Sequence, residues 1–254
     1  MRASVLISAA ELDEAIRSEE VVLIDTSDAA HYAEAHFHGA VSIREIFTYL
    51  ATTTPQGLGA LRATFAAAFG KAGLSVNETA VVYEQAMAPG FAQSCRGYIL
   101  LRYLGYPRDK VKVLHGWLPG VECGRLPSTT EVFTPACATF PTTDDDNGLL
   151  LDLVEMKRIA DDPRIVKLDV RIVDEWIGAS SSPYGEDFCP RKGRIPHSVW
   201  IEWVPHDEAV CHGAALQVGR ENPGVRLTPS SLWKKPAYRT HASTLDHGTS
   251  GRGT

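Results

Sequence analysis

Five cysteines, Cys95, Cys123, Cys137, Cys189 and Cys211, are the strongest nucleophile candidates in this 254-residue chain. A cysteine attacks as the thiolate, which a helix N-terminus or a neighbouring cation favours. Cys95, in Ser94-Cys-Arg-Gly-Tyr98, opens a predicted helix beside Arg96 and would be acidified there. Cys211 follows an apolar pair and precedes Gly213, but no arginine stands five or six positions on. Cys189 lies in the loop stretch Asp187-Phe-Cys-Pro190. The odd number and wide spacing suit neither a disulfide framework nor a paired metal site. For each cysteine the ordinary alternative is a small apolar filler. Phosphatase chemistry would need an arginine six positions after the cysteine, and none of the five has one.

Charged residues offer a second chemistry. Asp169 and Arg171 flank the end of an apolar run, while Arg191, Lys192 and Arg194 form a basic stretch. The basic stretch would attract an anion or serve as a solvated loop; Asp169 and Arg171, at the carboxyl edge where open α/β sheets bind ligands, would equally serve as an ion pair holding the neighbouring loop. The nine histidines show no metal-ligand spacing, and His36 and His38 read as shaping a turn. No metal and no cofactor are expected.

The elements that position these side chains follow from the apolar pattern. Ser8 with Glu11 forms a capping box opening a helix over residues 9–17. Val21–Ile24 is a continuous apolar run, as expected of a parallel strand covered on both faces. Residues 39–43, Ala80–Tyr83 and Val111–Leu114 read as further strands, with helices over Leu58–Phe69 and Ser94–Leu104. Such alternation makes an α/β fold with a parallel sheet and right-handed crossovers.

The pattern also repeats. Val21–Tyr32 aligns without a gap on Ile165–Trp176 at an offset of 144, which likewise pairs Ile7–Leu12 with Leu151–Met156. His36–Ile43 aligns on Arg194–Ile201 at an offset of 158. The second copy therefore holds a 14-residue insertion around Ser180–Gly193, rich in Ser, Pro and Gly. Residues 126–148, with Pro127, Pro135, Pro141 and Asp144–Asn147, read as an interdomain linker.

These residues resemble the rhodanese family of sulfurtransferases. Asp169-Val-Arg-Ile-Val-Asp-Glu-Trp176 followed by Gly193-Arg-Ile-Pro-His-Ser-Val199 is similar to the family's strand and loop motifs. So is Leu104-Gly-Tyr106 followed by Val111-Lys-Val-Leu-His-Gly-Trp117. The resemblance implies two rhodanese-like domains, each a parallel sheet flanked by helices, over residues 1–125 and 149–237, the second incomplete. Residues 238–254 are expected to be a divergent, disordered tail.

The resemblance also implies the reaction. A cysteine thiolate takes sulfane sulfur from thiosulfate or 3-mercaptopyruvate and passes it, as a persulfide, to a thiophile such as cyanide. The cysteine sits at a strand tip, in a loop whose amides lead into a helix N-terminus and stabilise negative charge. In the first copy that position holds Glu84, after Ala80–Tyr83. The family's tandem members likewise carry an acidic residue in the first domain and the cysteine in the second, so the first copy is expected to be a non-catalytic scaffold. The offset of 158 carries Val81–Glu84 onto residues 239–242, where there is neither a cysteine nor an apolar strand. Resemblance ends after Leu227–Trp233, and no intact catalytic residue is expected; Cys95 and Cys211 remain the weak candidates. Without that strand, Val166, Leu168 and Val199 should lack apolar neighbours. Asp169, Arg171 and Arg194 are placed beside the substrate pocket by the same resemblance.

The charge of −6 disfavours nucleic-acid and anionic-membrane partners. No basic leader precedes an apolar stretch at the N-terminus, and no run approaches the length of a membrane span. The expected partners are a small anionic sulfur donor and a thiol acceptor protein, and the expected location is the cytoplasm. The competing expectation is a non-catalytic rhodanese module that binds a partner protein or an anion.

Overall fold

A computed structural model describes residues 4–84, 92–115, 126–143, 148–182, 185–187 and 189–201, all within one compact unit, Met1–Val204. The first elements are β1 (Leu6–Ile7), α1 (Ala9–Ser18), β2 (Val21–Asp25), α2 (Ala29–Glu34), β3 (His36–Phe37), β4 (Val41–Ser42) and α3 (Glu45–Thr48). Then come α4 (Pro55–Lys71), β5 (Thr79–Tyr83), α5 (Ala92–Tyr103), β6 (Val111–Leu114) and β7 (Ser128–Thr129). The last are α6 (Leu153–Ile159), β8 (Lys167–Asp169), α7 (Val173–Ile177) and β9 (Ser198–Trp200).

The main sheet is five-stranded and parallel, in the order β1-β6-β5-β2-β4. β5 is its middle strand, and all five of its residues are buried. Continuous burial explains the absence of polar alternation in Thr79–Tyr83. One apolar cluster joins Ile24, Val82 and α4's Phe65 and Phe69 to α5's Leu100 and Leu101. A second, joining Leu23, Val81 and Tyr83 to α1's Leu12 and Ala15, includes Phe37 and Leu114. Helices thus cover both faces, as the α/β reading requires.

The capping box at Ser8 forms: Glu11 N–H donates to the serine hydroxyl, and Ser8 N–H donates back to the glutamate. The strand expected over residues 39–43 is shorter, two residues of β4. Two elements carry no clear period: α2, held by Asp28 as N-cap, and β3, which pairs antiparallel with β7. β7 lies within residues 126–148, the stretch expected as an interdomain linker. Further along the same segment Phe140 is buried, stacked on Tyr106 with ring centroids 5.5 Å apart. Phe140 also packs against Phe69, and Leu126 packs against the second cluster, whereas Val132 and Phe133 are exposed. His36 is buried between the carbonyls of Tyr32 and Glu131, so it ties this segment down as well as shaping a turn.

The two sequence offsets recur in the geometry of residues 149–201. Asp152 and Glu155 form a second capping box, 144 positions beyond Ser8 and Glu11. β8 pairs with β9 through Leu168↔Val199 and Asp169↔Trp200, as β2 pairs with β4 through Ile24↔Val41 and Asp25↔Ser42. Even the closing bonds match: Ile43 N–H donates to Asp25 O at 2.9 Å, and Ile201 N–H to Asp169 O at 3.0 Å. Burial is where the copies differ. Ile24 is fully buried but Leu168 is 58% exposed; Ile43 is 3% exposed but Ile201 is 54% exposed. Among the described residues, β8 has no strand on the side where β2 carries β5.

Candidate functional site

The carboxyl ends of the central strands bring together Asp25, Tyr83 and Glu84. Open parallel sheets bind ligands at this edge. Glu84 immediately follows β5 and is only 3% exposed. Its Oε2 accepts the backbone N–H of Gln93 at 3.1 Å and of Ser94 at 3.4 Å, in the first turn of α5. Unsatisfied amides and the helix dipole make that end a seat for negative charge. Burial outweighs those two bonds and raises the carboxyl to a pKa of about 7. Glu84 Oε1 has no hydrogen-bond partner among the described residues, and neither has the side-chain oxygen of Gln93.

The seat is fixed by close packing beneath it. A methyl group on Gly97 would stand 2.8 Å from Val82 Cγ1 and 3.3 Å from Ile46 Cδ1, so only glycine lets α5 lie this near β5. Arg96 anchors the same helix to the carbonyls of Phe47 and Tyr49.

Cys95 does not meet the sequence expectation of an acidified thiol. Burial and the Glu84 carboxylate push it up, and Arg96 is committed to α3 and the turn after it. At pH 7 it is a weak nucleophile. Cys211, Cys123, the stretch Leu227–Trp233 and the expected tail 238–254 lie outside the described residues.

Asp25 is fully buried at the tip of β2, where its Oδ1 accepts Ser27 N–H at 2.7 Å. Tyr83 is raised far above the ordinary tyrosine range by burial and by Asp25, while its hydroxyl accepts Phe37 N–H at 3.2 Å. Asp169 makes the equivalent turn with Arg171 N–H at 3.2 Å. The Arg171 guanidinium also grips that carboxylate twice, Nε to Oδ1 at 2.9 Å and Nη2 to Oδ2 at 2.7 Å, holding Asp169 below the usual carboxylate range. Nη2 donates further to Gly193 O at 2.9 Å, closing the insertion loop. Arg194 caps Trp176, its guanidinium 4.4 Å from the ring centroid, and donates to the Trp176 carbonyl. Arg171 and Arg194 both make contacts within the stretch between α7 and β9. Lys192 pairs with Glu186 in the same loop. Among the described residues no cluster of side chains could hold a metal ion. No helix there is long and apolar enough to cross a membrane.

A middle strand whose tip carries a buried carboxyl against a helix N-terminus, within an open parallel sheet flanked by helices, defines an α/β domain. Residues 8–120 match the family model of a rhodanese-like domain. A thiosulfate sulfurtransferase of Azotobacter vinelandii is 26% identical over 248 residues, covering 97% of this chain and 84% of its own. The crystal structure of a probable thiosulfate sulfurtransferase superposes with a TM-score of 0.51 at 26% identity, over 72% of this chain and 70% of that one. A 3-mercaptopyruvate sulfotransferase from Escherichia coli shares the fold, with a TM-score of 0.61 at 20% identity, over 79% and 75%.

Proposed function

We propose that the chain is a rhodanese-type sulfurtransferase by descent, arranged as domain 1–125, linker 126–148, partial second copy 149–237 and tail 238–254. Its donor class is thiosulfate or 3-mercaptopyruvate, its acceptor a thiophile such as cyanide or a protein thiol, and its first domain is a scaffold that does not carry sulfur. One observation carries the last point: Glu84, not a thiol, accepts the α5 amides at the tip of the middle strand. A carboxylate has no sulfur to form a persulfide. The matched capping boxes and the matched register of β8–β9 with β2–β4 support the two-copy arrangement.

A second reading rests on the raised thiol of Cys95 and the loop-holding role of Arg171. On it the chain is a non-catalytic module that binds an anion or a partner protein. A cyanide and thiosulfate assay with thiocyanate detection separates the two, run on the chain and on Cys95→Ser. Turnover that persists unchanged in Cys95→Ser supports the sulfurtransferase reading with an inert first domain. Turnover at the buffer rate favours the binding module. Robust turnover abolished by Cys95→Ser would show that the first domain carries sulfur after all.

A further inference from the structure

β8 has an open side that its counterpart in the first domain does not. There β2 lies between β4 and β5, pairing with β5 through Ile24↔Val82 and Asp25↔Tyr83. Among the described residues β8 pairs with β9 alone. Ile201 N–H donates to Asp169 O, so the Asp169 backbone faces β9, and alternation along the strand turns the N–H and C=O of Leu168 to the open side. Val166, Leu168 and Val170, spaced by two and so on one face, are each half exposed or more. An uncovered strand edge of this kind is a template for another strand. On the opposite face Lys167 is only 7% exposed, yet its ammonium has neither a hydrogen bond nor an ion pair among the described residues. Asp162 is the acid it acts on through space, and that carboxylate is gripped by Arg164. A lysine this buried is ordinarily paired.

We propose that the open edge of β8 is a self-association surface, on which a second copy of this chain lays its own β8 antiparallel to give the continuous sheet β9-β8-β8-β9. Antiparallel strands exchange both N–H···O bonds between residues whose backbones face each other. Centring the pair on Leu168, the middle residue of β8, brings Leu168 against the partner's Leu168 and Val166 against the partner's Val170 in this way. The positions between them are not hydrogen-bonded, and side chains come closest there. They set Lys167 opposite the partner's Asp169 and Asp169 opposite the partner's Lys167. The strand is thus its own complement, because two-fold symmetry supplies each contact twice. Apolar residues meet apolar residues and opposite charges meet, both favourable as cross-strand pairs. Asp169 already accepts both Arg171 donors, and a carboxylate has further lone pairs for an ammonium. Centring on Val166 or Val170 instead would set Lys167 opposite Ile165 or Val173, leaving it without an acid.

Analytical ultracentrifugation of the full chain over a wide range of concentration should show a monomer–dimer equilibrium, whether or not the chain transfers sulfur. Leu168→Lys sets two ammonium groups opposite each other at the centre, and Lys167→Glu sets a carboxylate opposite the partner's Asp169. Each should weaken the dimer about tenfold, since symmetry applies each change twice. Val154→Lys, at an exposed position on α6 away from the edge, should leave it unchanged. Leu168→Cys should form, under mild oxidation, an intermolecular disulfide that maps to position 168 in both chains, because a Cα separation of ~5.5 Å in such a pair suits the bond. A wild-type chain that stays monomeric would overturn the proposal: a Leu168 N–H slow to exchange would then give the edge to residues 202–254 of the same chain, and a fast one would leave it to a different protein. A dimer that Leu168→Lys and Lys167→Glu leave intact, or that Val154→Lys weakens as much, would overturn it equally.

Discussion

Glu84 couples the site to folding. Its carboxyl titrates near 7 in the folded chain against 4.5 ordinarily, because burial disfavours the charged form. Between those two pH values the folded state holds a proton that the unfolded state has released. Stability therefore falls as pH rises from about 4.5 to about 7 and is flat above that, by roughly 3 kcal/mol in all. Glu84→Gln should remove this component: the difference between its urea midpoint and that of the wild type should widen in the variant's favour from pH 5 to pH 8. A difference that stays constant with pH would place the charge in a better-solvated position. At this scale the sequence was informative about residue type and silent about state. Glu84 stood out as an acid at a strand tip, but its missing partner depends on which atoms α5 presents. The same reason hid the behaviour of Cys95. Its neighbour Arg96 in sequence is directed to α3 in space, and the nearest influential charge is eleven positions back. Arg171 shows the converse, since its twofold grip on Asp169 needed only a two-residue turn that the sequence already suggested.

At the scale of elements, the contact of α5 with β5 sets the geometry of the seat. Gly97 sits over Val82 and Ile46 with no room for a methyl group. Gly97→Ala should cost about 1–3 kcal/mol, the usual range for overpacking a rigid core, and shift the Gln93 and Ser94 amide resonances as α5 moves away from the sheet. Thermal unfolding and an amide spectrum check both, and a variant as stable as the wild type with unmoved amides would contradict the packing described. Long, periodic or wholly apolar segments were readable in advance: α1, β2, α4, β5, α5 and β6 all lie where the pattern puts them. Short pieces were not. β3 and β7 have two residues each and exist only because they pair with one another across ninety residues of chain, a contact that no local period records. Phe140 escaped for the same reason, being one of two phenylalanines among prolines, and the one whose ring is buried against Tyr106.

Across the whole molecule, two offsets found in the sequence reappear as matched capping boxes, matched strand registers and matched turn bonds. The two offsets were legible because the order of elements is kept even where the individual motifs are weak. What distinguishes the copies is burial, with Val166 72% and Val199 50% exposed where their counterparts Val22 and Val41 pack against the core. The molecule thus combines one well-packed α/β domain, which matches the rhodanese-like model and whose strand tip holds a carboxyl, with a second region whose capping box and strand register match those of its first elements. The most direct measurement is the intact mass of the chain after thiosulfate treatment under non-reducing conditions, with peptide mapping of each cysteine. Cys95 should remain a free thiol and the first domain should gain no sulfur. A gain of about 32 Da mapped to Cys95, one sulfur atom held as a reversible persulfide, would contradict the assignment of Glu84's domain as a scaffold.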